Sequence, residues 1–179
     1  MLHEIQIHGR TFVPYITKDR IASGVAAVAW QISKDYEGKR PLVLGVLNGS
    51  FIFASDLFRS LTIEAEISFI KLASYKGTSS TGNVITAIGM EEQITSRDVI
   101  IVEDIIDTGK TLYSFLPDLW HRQPSSIKIA TFLTKPQALK YDIKPDYCVF
   151  EIEDKFVVGY GLDYDGLGRN YPDLYLLKG

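Results

Sequence analysis

The stretch VIIVEDIIDTGKTL, Val99–Leu112, decides how this sequence is read. It begins with four β-branched residues, Val99 to Val102, a run that predicts a strand buried on both faces. Glu103 and Asp104 stand where that strand is expected to end, and a third carboxylate, Asp107, follows. Thr108-Gly109-Lys110-Thr111 then opens a predicted helix that begins near Thr108. Ligands of open α/β sheets bind at the carboxyl ends of strands. Small and hydroxylated residues at a helix start leave backbone N–H groups free to surround a phosphate, and the helix dipole adds to the attraction. The acidic pair suits hydroxyl donors such as a ribose diol. A phosphate cradle beside a diol clamp describes a ribose phosphate site.

Other readings of the stretch account for less of it. A nucleotide-binding P-loop would need glycine at position 104, which is Asp104. The acidic pocket of a receiver domain would explain IVED but not the DTGKT after it. Turn and capping propensities would account for some of the carboxylates and threonines, but not for the whole string.

Outward from this stretch the chain alternates strands and helices. Thr17 is placed to cap a helix running to about Tyr36, with Ile21, Val25, Val28, Ala29 and Ile32 as its buried stripe. PLVLGVL (Pro41–Leu47) predicts a strand, Asn48-Gly49-Ser50 a tight loop and Phe51–Ser60 a second helix. Ile63–Ala73 alternates like a strand and leads into SYKGTSSTGN (Ser74–Asn83), whose composition predicts a mobile surface loop. Pro117 is expected to kink or end the third helix early. SIKIATFL (Ser126–Leu133) and YCVFEI (Tyr147–Ile152) are two further strands. The pattern predicts one α/β domain over residues 1–179, with a mostly parallel sheet covered on both faces.

Composition bounds the function. At 179 residues, 46% hydrophobic and 23% charged, the chain can bury a core of its own. A formal charge of −3 gives no general attraction for nucleic acid, and no apolar run is long enough to span a bilayer. The N-terminus, MLHEIQIHGR, has no signal-peptide core, which points to the cytoplasm. Cys148, the single cysteine, reads as a buried structural thiol, and the three scattered histidines have no zinc-ligand spacing.

Together these segments resemble the type I phosphoribosyltransferases, specifically their hypoxanthine-guanine branch, from about Pro41 to the C-terminus. VIIVEDIIDTGKTL is similar to that family's signature for phosphoribosyl pyrophosphate (PRPP). LGVLNGSFIFASDL resembles its pyrophosphate loop, ASYKGTSSTGNV its flexible catalytic loop, and DKFVVGYGLDYDGLGRN its base-binding hood. The implied fold is a mostly parallel sheet flanked by helices. A small hood, made by N-terminal residues and the segment from about 150 to 179, would cover the base site.

The resemblance also implies roles. Asp107, Thr108, Gly109, Lys110 and Thr111 would bind the 5′-phosphate. Glu103 and Asp104 would meet the ribose hydroxyls with Mg2+ nearby, and Asp163 would lie near a second Mg2+ and the base, with Asp165 a less certain ligand. Asp107 is the candidate general base for N7–H of the purine, or else it only accepts a hydrogen bond and orients the ring. Asn48-Gly49 matches the pyrophosphate-loop dipeptide, which in many relatives is Lys-Gly with a cis peptide bond. Arg169 matches a pyrophosphate-binding arginine. Lys135 would donate to a purine O6, which favours a 6-oxopurine over a 6-amino one. Phe156 would stack on the base and the Val157 backbone would read its edge. Ser74 and Tyr75 match the pair that closes over the reaction centre.

The implied activity is magnesium-dependent purine salvage: hypoxanthine, and guanine with it, plus PRPP gives IMP or GMP plus pyrophosphate. A xanthine preference and a non-catalytic PRPP-sensing regulator are the competing readings. The expected partners are these small molecules and a second copy of the chain, as a dimer or tetramer, with no nucleic acid or membrane.

Overall fold

The computed structural model describes residues 3–75, 84–89 and 92–179. In chain order the elements are β1 (Ile5–Ile7), β2 (Arg10–Ile16), α1 (Lys18–Asp35), β3 (Leu42–Leu47), α2 (Phe51–Ser60), β4 (Glu66–Tyr75), β5 (Val84–Ile88) and β6 (Asp98–Ile106). α3 (Lys110–His121), β7 (Ser126–Thr134), β8 (Tyr147–Glu151), β9 (Val157–Val158) and β10 (Leu174–Leu177) complete the chain.

The larger sheet has the strand order β5-β4-β3-β6-β7-β8. Its strands from β4 to β8 run parallel, and β5 adds an antiparallel edge. The period of two along β6 divides its apolar side chains between two cores. Ile100 and Val102 face α1 and α2, while Val99 and Ile101 face α3. α1 buries the expected stripe of Ile21, Val25, Val28, Ala29 and Ile32. Its first turn is satisfied twice: Arg20 N–H donates to Thr17 Oγ1 at 3.3 Å, and Lys18 N–H to Asp173 Oδ1 at 2.7 Å. α2 matches the expected bounds.

β6 is longer than the expected Val99–Val102. β3 pairs with it only from Leu42↔Val99 to Gly45↔Val102, whereas β7 stays with it as far as Ile106↔Thr134. Glu103 and Asp104 therefore lie inside a strand, not beyond its end. The strand can carry them because β7 completes the ladder on one side while the other side, past β3, is open. That opening is the crevice at the carboxyl end of the sheet.

The third helix also departs from expectation. It begins at Lys110, not Thr108, because Gly109 takes a left-handed φ of 81° just before it. Pro117 lies inside the helix without ending it. Its ring needs no partner N–H, and the carbonyl it leaves free belongs to Tyr113, one turn back on the exposed face.

A second, antiparallel sheet of order β1-β2-β10-β9 joins the two ends of the chain. Ile7, Phe12, Val158 and Tyr175 form its own small core. Sequence periodicity did not resolve these short strands, because each draws its partners from the opposite terminus.

The expected loop Ser74–Asn83 starts later than Ser74. Ser74 and Tyr75 lie in β4, their backbone paired with Ile85 and Val84 of β5, and residues 76–83 fall outside the described residues. No described helix is long and apolar enough to cross a membrane.

Candidate functional site

The crevice beyond β3 holds two adjoining cavities that share Ile105 and Asp107 as walls. The smaller, about 80 Å3, is lined by Glu103 and by the loop from Asp107 through Thr111 into α3. Thr108 Oγ1 accepts the Lys110 N–H at 3.3 Å, and the Thr108 carbonyl accepts from Lys140 and Tyr141, so the loop is tied to the chain behind it. The side chains of Asp107, Lys110 and Thr111 are exposed. A loop anchored from behind and open in front can receive an anion against a helix N-terminus.

The larger cavity, about 210 Å3, is lined by Asp104, Asp107, Lys135, Phe156, Val157 and Asp163, with Ile105 and Leu162. Lys135 follows β7, where its N–H donates to the Ile106 carbonyl at 3.0 Å. It is 6% exposed, and its ammonium donates to Asp107 Oδ2 at 3.1 Å and to Asp154 Oδ1 at 3.2 Å. Phe156 is 45% exposed at the cavity wall and meets Tyr164 edge to face, ring centres 5.6 Å apart. An exposed aromatic beside a buried ammonium suits a flat, polar heterocycle.

Glu103 and Asp104 are neighbours on a strand and so point to opposite sides of it. Glu103 lines the phosphate-loop cavity and Asp104 the larger one, so the two do not close on one cavity as a pair. Burial, reinforced by Asp104, pushes the Glu103 carboxyl well above the usual range, and its Oε2 has no hydrogen-bond partner among the described residues. Burial raises Asp104 to about 6, opposed by the Ile105 N–H and by the charge of Arg169.

Asp104 packs directly against Gly49, where any Cβ would collide with its carboxylate. Gly161, in turn, leaves no room for a Cβ beside the Gly49 carbonyl. Arg169 belongs to this cluster and is not a free surface cation: Nη1 donates to the Gly161 carbonyl at 2.6 Å and Nη2 pairs with Asp163 Oδ1 at 2.7 Å. Asp163 Oδ2 accepts the Gly166 N–H at 2.7 Å. The loop at Asn48, the hood and the end of β6 thus meet through backbone contacts that only glycine permits. Asn48 itself is exposed, and the cis peptide bond of this loop lies between Leu47 and Asn48, one bond before the expected one.

Two sequence expectations fall outside this cluster. Asp165 is exposed and does not line either cavity; its carbonyl faces His8 Nε2 at 3.3 Å. Cys148 is partly, not fully, buried, and burial raises its thiol to about 11, consistent with an inert group. Conversely, sequence reasoning assigned no role to Asp154, Leu162 or Gly161. All three lie inside the quoted hood segment, and proximity along the chain was the one signal available for them.

This geometry agrees with what the chain resembles. The phosphoribosyl transferase domain family matches residues 16–165. The chain is 44% identical over 148 residues to the hypoxanthine-guanine phosphoribosyltransferase of Lactococcus lactis subsp. lactis, covering 82% of this chain and 80% of that one. It is 38% identical over 162 residues to the hypoxanthine-guanine-xanthine phosphoribosyltransferase of Tritrichomonas foetus, covering 90% and 88%. Among solved structures, a hypoxanthine-guanine phosphoribosyltransferase from Bacillus anthracis superposes with a TM-score of 0.86 at 36% identity, over 92% of this chain and 98% of that one. A hypoxanthine phosphoribosyltransferase from Staphylococcus aureus gives 0.86 at 38% identity, over 92% and 90%. With a type I fold and these relatives along most of its length, the chain belongs to the phosphoribosyltransferase family, in its hypoxanthine-guanine branch.

Proposed function

We propose that this protein is a purine-salvage enzyme that transfers the ribose 5-phosphate of PRPP to hypoxanthine or guanine, releasing pyrophosphate. The observation that carries the reading is the pair of adjoining cavities that share Asp107, one lined by the phosphate loop and the other by Lys135 and Phe156. The loop Asp107–Thr111 holds the 5′-phosphate. Lys135 donates to the O6 of the base, Phe156 stacks on the ring and the Val157 backbone meets its edge. Asn48, Gly49 and Arg169 face the pyrophosphate. In the transfer, N9 of the base forms a bond to the anomeric carbon as the bond from that carbon to pyrophosphate breaks. The bonding pair leaves with pyrophosphate, and the proton on N7 passes to Asp107. Ser74 and Tyr75, with the segment that follows them, shield the ribosyl centre from water.

Magnesium fits the donor set in a limited way. No group of three or more His, Cys, Asp or Glu side chains able to hold a metal occurs among the described residues. Asp104, on the wall of the larger cavity, would offer an oxygen donor to an ion that keeps its waters and takes most other ligands from substrate phosphates, while Glu103 Oε2, unpartnered among the described residues, faces the smaller cavity on the other side of β6. Asp163 reaches that ion less directly, since Arg169 and Gly166 already engage both its oxygens. When bound, Mg2+ supplies neutralising charge to the departing pyrophosphate. The proposal extends to a cytoplasmic homo-oligomer, a dimer or tetramer, as in the resemblance.

The test offers hypoxanthine, guanine, xanthine and adenine separately with PRPP and Mg2+. Turnover of hypoxanthine or guanine with adenine inert is expected, and Asp107→Asn should lower kcat by about a hundredfold or more. Preferred turnover of xanthine would shift the base assignment. Failure of every base despite PRPP binding would remove the enzyme reading.

A further inference from the structure

We propose that Asp154 is a positioning residue for base recognition: it holds the Lys135 ammonium so that its remaining N–H addresses the 6-position of the purine. The inference rests on the reading of the larger cavity as the base site. Asp154 lies in the turn between β8 and β9, two residues before Phe156, and it does not itself line the cavity. Its Oδ1 lies 3.2 Å from Lys135 Nζ, and Asp107 Oδ2 lies 3.1 Å from the same ammonium.

An ammonium has three N–H donors. Two are committed to these carboxylates, which leaves one for the cavity. Lys135 is buried, so its charge needs a counter-charge, and a single flexible partner would leave the head group free to rotate. Asp107 cannot serve as the permanent partner in the proposed reaction, because it is the group that receives the N7 proton. When Asp107 is neutral or engaged by the base, Asp154 is the carboxylate still holding Lys135. Its position on the Phe156 turn also ties the stacking wall to the hydrogen-bonding wall, so that the two contacts on the base are set together.

Asp154 is more than half exposed and caps no helix or strand, so its substitution is not expected to disturb the fold. The KM for hypoxanthine of Asp154→Asn should rise about tenfold, the equivalent of about 1.4 kcal/mol, with the KM for PRPP unchanged. Asp154→Glu, which retains the charge, should recover most of the loss. Calorimetric binding of IMP to the parent and variant chains, alongside circular dichroism, completes the experiment. A hypoxanthine KM unchanged in Asp154→Asn, or a PRPP KM that rises in step with it, would overturn the positioning role. A parent chain that binds no IMP and turns over no base would instead overturn the assignment of the base site, and this proposal with it.

Discussion

The loop and the larger cavity that we propose hold the phosphate and the base stand side by side and share Asp107, yet the chain builds them in opposite ways. The loop is one run of consecutive residues, Asp107–Thr111, shaped by a single left-handed glycine and closed by the start of α3. The base cavity takes Asp104 from β6, Lys135 from the end of β7, Phe156 from the turn after β8 and Asp163 from the C-terminal segment. A contiguous site depends on local backbone conformation. A dispersed site depends on long-range packing and on charges that meet only after folding. The two should therefore fail in different ways.

Gly109→Val attacks the loop at its turn and should have the largest effect. It places a β-branched residue at a φ of 81° and brings its Cβ to 3.3 Å from the Ile143 side chain. The loop must abandon its shape, and kcat/KM for PRPP should fall by about a hundredfold. Equilibrium binding of the base should change much less. An equal loss of base affinity would mean that the two cavities act as one unit.

Lys135→Ala attacks the base cavity instead. It removes a buried ammonium and its charge-assisted donor, so the KM for hypoxanthine should rise about thirtyfold. PRPP affinity should stay within about twofold, and steady-state kinetics with each substrate varied in turn would show whether it does.

The smallest effect concerns stability. Asp104 has a folded-state carboxyl raised to about 6 from an ordinary value of 3.8. The folded state binds that proton more tightly than the unfolded chain does. The stability linked to it is fully present below the unfolded value and is lost as pH rises through about 6. Asp104→Asn should therefore stabilise the fold at pH 7 to 8 by about 2 kcal/mol, roughly 5 °C in melting temperature, with little gain at pH 4. Melts at the two pH values without magnesium would check this. A variant less stable than the parent at pH 8 would mean that attraction to the charge of Arg169 outweighs the cost of burial. The same substitution should weaken turnover, since Asp104 would no longer supply a carboxylate beside the pyrophosphate loop.

The contrast between the regions also explains what could be read early. Local signals located α1 with its Thr17 cap, α2 to the residue, and the turn at Gly109 before α3, because caps and tight turns are encoded by neighbours a few positions apart. They missed the full length of β6, since strand ends depend on which partner continues: β3 stops at Val102 while β7 goes on to Ile106. Pro117 does not end the helix, because an exposed helix face tolerates the free carbonyl that a buried one would not. The hood strands were out of reach of periodicity, and only the resemblance indicated that the two termini cooperate.

By itself, then, the sequence determined an α/β architecture and a small, hydroxylated loop after a carboxylate-bearing strand, the loop that we propose holds the phosphate. The tertiary structure alone decided that Glu103 and Asp104 serve different cavities, that Lys135 is shared by Asp107 and Asp154, and that Gly49 and Gly161 allow the hood to touch the loop before α2. The physical reason is one of range. Turns, caps and strand alternation are set by covalent neighbours, whereas burial of a charge and the close approach of two backbones exist only once distant segments have packed.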